Sequence, residues 1–242
     1  MLLEELKDAY GTDYTFQSVN IGQNTQKEPW FTKLGPNGRI PVLVDHDRGG
    51  ISLMEGAAIL NYLVKHYDPE HKFSFSDDDE TSDAEQWVAW QHGGLGPMQG
   101  QANHFVRYAK EFIPYGIFRY VGETERLYGV LDMHLEGRDY IAGKGKGKFS
   151  YADCASWGWV NSASFIAIDL EGQFSNVAAW WKRINDRPAV QRGLKVPSGN
   201  PSGREVFKQK IAEDPEFRQK EEEVMAKIAD VKKQYNYVYK SP

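Results

Sequence analysis

The sequence predicts a small α/β unit followed by an all-helical domain. Three observations predict it. Two short apolar runs, 42–44 and 51–54, flank a glycine-containing turn, which is the pattern of a β-hairpin. Beyond residue 81 the apolar positions recur at helical spacing instead. Between the two regimes lies a polar, acidic stretch, Ser76-Asp77-Asp78-Asp79-Glu80. The chain has 242 residues, 40% of them hydrophobic, enough to bury a core in one large domain or two small ones.

Taken in order, Leu2, Leu3 and Leu6 fall at helical spacing, and Gly11 stops that helix. Residues 14–21 are rich in aromatic and β-branched side chains and predict a strand. Residues 26–34 predict a short irregular or helical turn, closed by Gly35-Pro36-Asn37-Gly38. The hairpin follows, turning at Asp47-Arg48-Gly49-Gly50. Glu55-Gly56 then opens a helix with Ile59, Leu60, Leu63, Val64 and Tyr67 on its apolar face. These elements define a first domain over 1–68, a linker over 69–80, a helical domain over 81–197 and a charged helical tail over 198–242.

Within the helical domain, Ser82 and Glu85 have capping-box spacing, and Trp87 and Trp90 share a face. Leu127, Val130, Leu131, His134 and Leu135 form one stripe; Val177, Trp180, Trp181 and Ile184 form another, ended by Pro188. Ser150 and Asp153 predict a reciprocal cap with Asp in place of Glu, a structural role. Cys154 follows in the first turn and is expected to be buried and chemically silent. The tail predicts a helix from Pro215 to Tyr235, with Pro at a favourable first position.

Composition narrows the function classes. A net charge of -5 leaves no electrostatic footprint for nucleic acid or an anionic membrane. No apolar run approaches the ~20 residues that span a bilayer, and the first residues carry no basic leader, so a cytoplasmic protein is expected. A single cysteine excludes an internal disulfide, and the histidines show no metal-ligand spacing, so no metal is expected. The run Gly143-Lys144-Gly145-Lys146-Gly147-Lys148 lacks phosphate-loop spacing and reads as a solvated loop.

Five blocks carry a resemblance: LGPNGRIPVLVD (34–45), LMEGAAILNYL (53–63), GLGPMQGQANHF (94–105), YIAGKGKGKFSYADCASWGWV (140–160) and RPAVQRGLKVP (187–197). In order and spacing they resemble the soluble glutathione transferases. The resemblance is to the fungal class that includes the yeast nitrogen-regulating prion protein, and to related bacterial disulfide-reducing enzymes. It spans residues 1–197 and does not reach the tail.

The resemblance implies a thioredoxin-like N-terminal domain and the all-helical C-terminal domain of that family. It implies a cis peptide bond before Pro41, with the Ile40 backbone offered to the cysteinyl part of glutathione in the manner of an added strand. It places Glu55 against the γ-glutamyl ammonium and Gly56 where the family usually has a serine that holds the γ-glutamyl carboxylate. Gln26 falls near the glycyl end. Met98, Gln101, His104 and Phe105 fall on the helix that lines the electrophile pocket and dimer cleft. Set against the family pattern, the chain begins inside the first helix, so the first strand is missing and the thiol-activating residue is expected upstream of Met1. The catalytic residue is therefore unknown. The implied function is attack by the thiolate of glutathione on a small electrophile or disulfide, in a homodimer. The alternatives are a non-catalytic binding or regulatory protein and a glutathione-dependent disulfide reductase or peroxidase.

Overall fold

The computed structural model describes residues 1–200 and 203–242. The predicted two-part architecture is present: a small α/β unit with a two-stranded sheet, then helices as far as Gln234.

Helix α1 (Leu2–Tyr10) buries Leu2 and Leu6 and ends where Gly11 takes φ 75 and returns its N–H to the Lys7 carbonyl. Its acidic face is clamped by the far end of the helical domain. Arg187 makes paired hydrogen bonds of 2.6 and 2.8 Å to Glu5, and Arg192 reaches Glu4 at 2.7 Å and Asp8 at 2.6 Å. The first helix of the chain is thus anchored on the helical domain.

Residues 14–21 do not form the expected strand. They run without regular structure into a tight turn at Ile21–Gln23, where the Asn20 side chain accepts from the N–H groups of Gly22 and Gln23. Tyr14 donates instead to Glu4 at 2.6 Å, while Phe16 and Ile21 face solvent. Strand propensity needs a partner ladder to act on, and among the described residues the sheet contains only the hairpin strands.

Helix α2 (Pro29–Leu34) realises the predicted helical turn, with Pro29 at its start. Strands β1 (Val42–Asp45) and β2 (Ile51–Met54) pair antiparallel, with Val42 opposite Met54 and Asp45 opposite Ile51. Asp45 fastens this hairpin to helix α3 (Gly56–Tyr67). Its carboxylate accepts from the turn N–H groups of Asp47 and Arg48 and from the hydroxyls of Tyr62 (2.8 Å) and Tyr67 (2.6 Å). Burial pushes this carboxyl upward, but the two hydroxyls and two N–H groups outweigh it and hold the pKa below the ordinary value.

Asp68 does similar work after α3. It accepts from Tyr10 Oη (2.6 Å), Ser74 Oγ (2.7 Å) and the N–H groups of Lys72 and Phe73. Phe73 and Phe75, in the segment that follows, are buried. The expected capping box at Ser82 and Glu85 is not used. Asp77 caps helix α4 (Asp78–Trp90) four residues or more earlier, accepting from Glu80 N–H at 3.1 Å, so the acidic run forms the first turn. Negative charge is favourable at that end of the helix, which explains the earlier start.

A widened turn, Gln91–Leu95, joins α4 to α5 (Gly96–Asn103), and a second, His104–Tyr108, ends the rod. Helix α6 (Pro114–His134) buries Leu127 and Leu131 of the predicted stripe, with Leu135 beyond its end. Helix α7 (Tyr151–Val160) is the central core helix and carries the Ser150–Asp153 capping box. The fully buried Asp153 also accepts from Ile141 N–H and Trp180 Nε1. Burial raises its pKa to about 6 against these hydrogen bonds. Helices α8 (Leu170–Gln173), α9 (Ser175–Asn185) and α10 (Pro188–Gly193) close the bundle, α9 burying the predicted Val177, Trp180, Trp181 and Ile184.

The tail forms α11 (Arg204–Glu213) and α12 (Pro215–Gln234). It folds back onto α6. Ile228 and Val231 are buried, Arg107 grips Glu221 at 2.7 and 2.9 Å, and Lys232 pairs with Glu125. Tyr235 then stacks on Phe118 with ring centres 4.6 Å apart.

Candidate functional site

A cavity of about 670 Å³ lies between the α/β unit and the helical domain. One wall is built from the sequence before β1 and after β2. The Ile40–Pro41 peptide bond is cis, and the N–H and C=O of Ile40 make no hydrogen bond among the described residues. Main-chain groups left open beside a strand are ready to pair with an extended peptide. Pro41 itself brings no donor, so the recognition surface is Ile40.

Glu55 forms the next part of the wall. Its backbone takes φ 72 and ψ 119, which a side chain other than glycine's rarely adopts. Such a conformation costs about 1–3 kcal/mol and persists where surrounding structure imposes it. Here β2 ends at Met54 and α3 starts at Gly56, so a single residue makes the corner. The corner points the carboxylate at the cavity, where Asn37 Nδ2 donates to it at 3.0 Å and His92 Nε2 stands 3.2 Å away. The first N–H groups of α3 open beside it, a place that favours an anion. A Cβ on Gly56 would meet nothing within 4 Å, so the site has room for a side chain there. A ligand with neighbouring ammonium and carboxylate groups fits this pairing of Glu55 with the α3 start.

The opposite wall comes from the helical domain: Gln91 and His92 on the widened turn, Gly96, Pro97 and Gln101 on α5, and Cys154 and Trp159 on α7. Cys154 is half-buried in this wall rather than fully enclosed as expected, and burial pushes its thiol pKa well upward. Arg39 lines the cavity without an ion-pair partner among the described residues.

The structure thus brings together Ile40, Pro41, Glu55, Gly56 and Gln101 of the residues singled out by sequence. Gln26 lies outside the cavity, in the tight turn before α2. Its main-chain oxygen sits 3.0 Å from where a Cβ of Gly38 would stand, and neighbouring Lys27 reaches the Asn37 carbonyl at 3.3 Å. Met98 packs against the core, the Phe105 ring stacks on Tyr120, and exposed His104 meets the edge of Phe105. These three are away from the cavity wall. Sequence reasoning missed Asn37, Arg39, Gln91, His92 and Trp159. The glycines around 93–96 were the available signal, because they mark the widened turn that presents Gln91 and His92.

Two family models match, "Glutathione S-transferase, N-terminal domain" over residues 2–65 and "Glutathione S-transferase, C-terminal domain" over 119–188. The chain belongs to the glutathione S-transferase family. Among curated relatives, "Disulfide-bond oxidoreductase YfcG" of Escherichia coli strain K12 is 41% identical over 186 residues, 75% of this chain and 83% of the relative. Glutathione S-transferase 1 of Schizosaccharomyces pombe is 35% identical over 77% of this chain and 85% of its own. Of solved structures, the glutathione transferase homolog from Lodderomyces elongisporus, described with two glutathione molecules per subunit, superposes with a TM-score of 0.75 at 40% identity. It covers 81% of this chain and 91% of that one. Ure2p in complex with glutathione superposes at 0.73 with 30% identity, covering 79% and 91%. The transferase fold read from the five sequence blocks is therefore this chain's fold, with its two domains in the expected order. The cavity of this transferase-family chain lies where its two family domains meet. Among the described residues, no helix is long and apolar enough to cross a membrane.

Proposed function

We propose that this chain binds glutathione in the cavity and acts as a glutathione transferase, the thiolate attacking a small electrophile. The observation that carries the reading is the strained Glu55 corner at the start of α3, facing the open main chain of Ile40. Glu55 takes the γ-glutamyl ammonium, the α3 N–H groups take the γ-glutamyl carboxylate, and Ile40 pairs with the cysteinyl backbone. Arg39 is placed to meet the glycyl carboxylate. Gln26, in the turn outside the cavity, is proposed to reach the same end of the tripeptide. Gln101 lies on the side of the second substrate, with Met98, His104 and Phe105 shaping the helix behind it. No side chain of the cavity is assigned the task of activating the thiol.

The working unit is proposed to be a homodimer in the cytoplasm, with neither nucleic acid nor membrane as partner and no metal. A second reading, reduction of disulfides with glutathione as the electron source, is favoured by the likeness to a disulfide-bond oxidoreductase. The test is calorimetric titration with glutathione, followed by turnover of an aromatic electrophile beside a glutathionylated disulfide. Micromolar to millimolar binding with turnover of the electrophile supports the first reading. Turnover of the disulfide alone supports the second. Binding without either turnover identifies a regulatory protein, and absence of binding overturns the site. Sedimentation at micromolar concentration decides the dimer, since a 27.6 kDa species alone would contradict it.

A further inference from the structure

Residues 198–242 lie beyond both matched family domains, and the reading of the cavity gives them no role. The tail nevertheless reaches both helices of the helical-domain wall. Helix α5 gives that wall Gly100 and Gln101, and α7 gives it Ala155 and Trp159. Each of these helices is held just past its end by one helix of the tail. Arg107, in the widened turn that follows α5, donates from Nη1 and Nη2 to the two carboxylate oxygens of Glu221 on α12, at 2.9 and 2.7 Å. Its Nε donates to the Phe165 carbonyl at 2.6 Å, and its guanidinium lies over the rings of Phe165 and of Phe207 on α11. Glu221 is only 5% exposed, so the pair is enclosed. At the other helix, Asn161 directly follows α7. Its Oδ1 accepts from the Arg204 N–H at the start of α11, at 3.4 Å, and from Trp181 Nε1 at 3.2 Å. A Cβ on Gly203 would stand 2.1 Å from Asn161 Nδ2, so glycine there is what lets the tail lie against Asn161.

We propose that the tail is a splint across the far ends of α5 and α7 that sets the width of the cavity, with Arg107 and Glu221 as positioning residues for the second substrate. It rests on the glutathione reading above. Within the helical domain, Gln99 ties the middle of α5 to the end of α7, donating to the Trp159 carbonyl at 2.8 Å. One tie fixes a distance between two rods but leaves their angle free, and the splint adds the second point. A guanidinium bonded to a carboxylate at two places fixes direction as well as distance. The turn that carries Arg107 is closed by the Ala109 N–H on the His104 carbonyl at 2.8 Å, and widened turns of this kind are found mostly at functional sites. The groups assigned to glutathione, Ile40 and Glu55, lie on the α/β wall instead. Loss of the splint therefore acts on the second substrate and spares glutathione.

A tail that only stabilised the fold would behave differently. Its loss would shrink the folded fraction, which lowers the apparent kcat and leaves KM where it was. A displaced wall changes how the substrate itself is held, and a shift of about 1 Å can cost on the order of 10²-fold in rate. KM for the second substrate is therefore the quantity that separates a splint from a stabilising appendage.

Glu221→Ala removes the grip on Arg107; Glu221→Gln, which keeps the volume and one acceptor, serves if the first does not fold. Tyr235→Leu is the comparison, because it loosens the tail from Phe118 on α6 and leaves the Arg107–Glu221 pair in place. With glutathione saturating, kcat and KM are measured for an aromatic electrophile, and glutathione Kd is measured by calorimetry. Glu221→Ala is expected to raise the electrophile KM about tenfold and to leave glutathione Kd unchanged, with a smaller rise in Glu221→Gln and none in Tyr235→Leu. An unchanged KM in the Glu221 variants, an equal rise in Tyr235→Leu, or a parallel rise in glutathione Kd overturns the proposal. Amide hydrogen exchange is the second readout and needs no glutathione. In the Glu221 variants the α5 amides should exchange about tenfold faster while those of α9 keep their rates. If the unaltered chain neither binds glutathione nor turns over the electrophile, the glutathione reading fails and exchange alone decides the splint. Faster exchange confined to α5 and its widened turn supports it, and equal rates overturn it.

Discussion

His92 Nε2 stands 3.2 Å from Glu55 Oε2, joining the widened turn after α4 to the corner before α3. The carboxylate that faces the cavity is therefore positioned from both domains, with Asn37 as its second support. The candidate site at the domain junction depends on that approach.

Glu55 should separate binding from backbone strain. Glu55→Ala and Glu55→Gly both remove the carboxylate, so both should weaken glutathione binding by about 1.5–3 kcal/mol. They differ in the corner. Glycine accepts φ 72 where alanine does not, and after its own entropy cost the glycine variant should be about 1 kcal/mol the more stable. Urea unfolding of the pair measures this, and equal stability would show that the corner is unstrained.

Gly56→Ser should tighten glutathione binding. The open space at Gly56 accepts a hydroxyl, which can bond the γ-glutamyl carboxylate. A hydrogen bond to a charged group contributes about 1.5–3 kcal/mol, or roughly ten- to a hundred-fold in Kd by calorimetry. No gain would mean that the ligand carboxylate does not sit at the start of α3.

Asp68 should make the fold sensitive to acid. Burial pushes its carboxyl upward, but the Tyr10 and Ser74 hydroxyls and two backbone N–H groups hold the folded pKa below the ordinary value. A depressed folded pKa contributes stability above the unfolded pKa, and that contribution is lost as pH falls through the folded one. Asp68→Asn should therefore cost about 1.5–3 kcal/mol at pH 7, and the gap to the unaltered chain should narrow below about pH 4. Denaturant midpoints at pH 7 and pH 3 give the comparison. A gap that widens in acid would reverse the assignment.

Lys232→Met should leave Glu125, which is 1% exposed, without its cation. Breaking a buried pair from one side costs about 3–5 kcal/mol. Adding Glu125→Gln should recover part of that loss, because it removes the stranded charge. If the double variant is no better than the single one, the pair is not what docks α12 on α6.

Much of the fold was readable because its signals are local. The hairpin, the α3 stripe and the Ser150–Asp153 cap each rest on residues within one or two turns of one another. The strand expected over 14–21 was not, since pairing is decided by what lies alongside, and Tyr14 was drawn to Glu4 instead. The cap at Ser82 lost to Asp77 because the same chemistry was available earlier in the chain. In the site, Ile40–Pro41 and Glu55–Gly56 were legible as motifs. Gln91, His92 and Trp159 belong to it only because α4, α5 and α7 carry them to the α/β unit, and no local pattern announces that approach.

The tail has a consequence for the order of synthesis. Its last aromatic residues lie over α6, where a Cβ on Gly129 would stand 2.1 Å from Tyr239 Oη and 2.8 Å from Pro242 Cδ. Helix α6 thus waits for residues made more than a hundred positions later. While the ribosome is still adding α11 and α12, the apolar flank around Phe118 stays uncovered, and at roughly 5–20 residues per second that interval lasts several seconds. The nascent bundle is most prone to aggregation then, and a stalled or C-terminally clipped product would carry that exposed flank permanently.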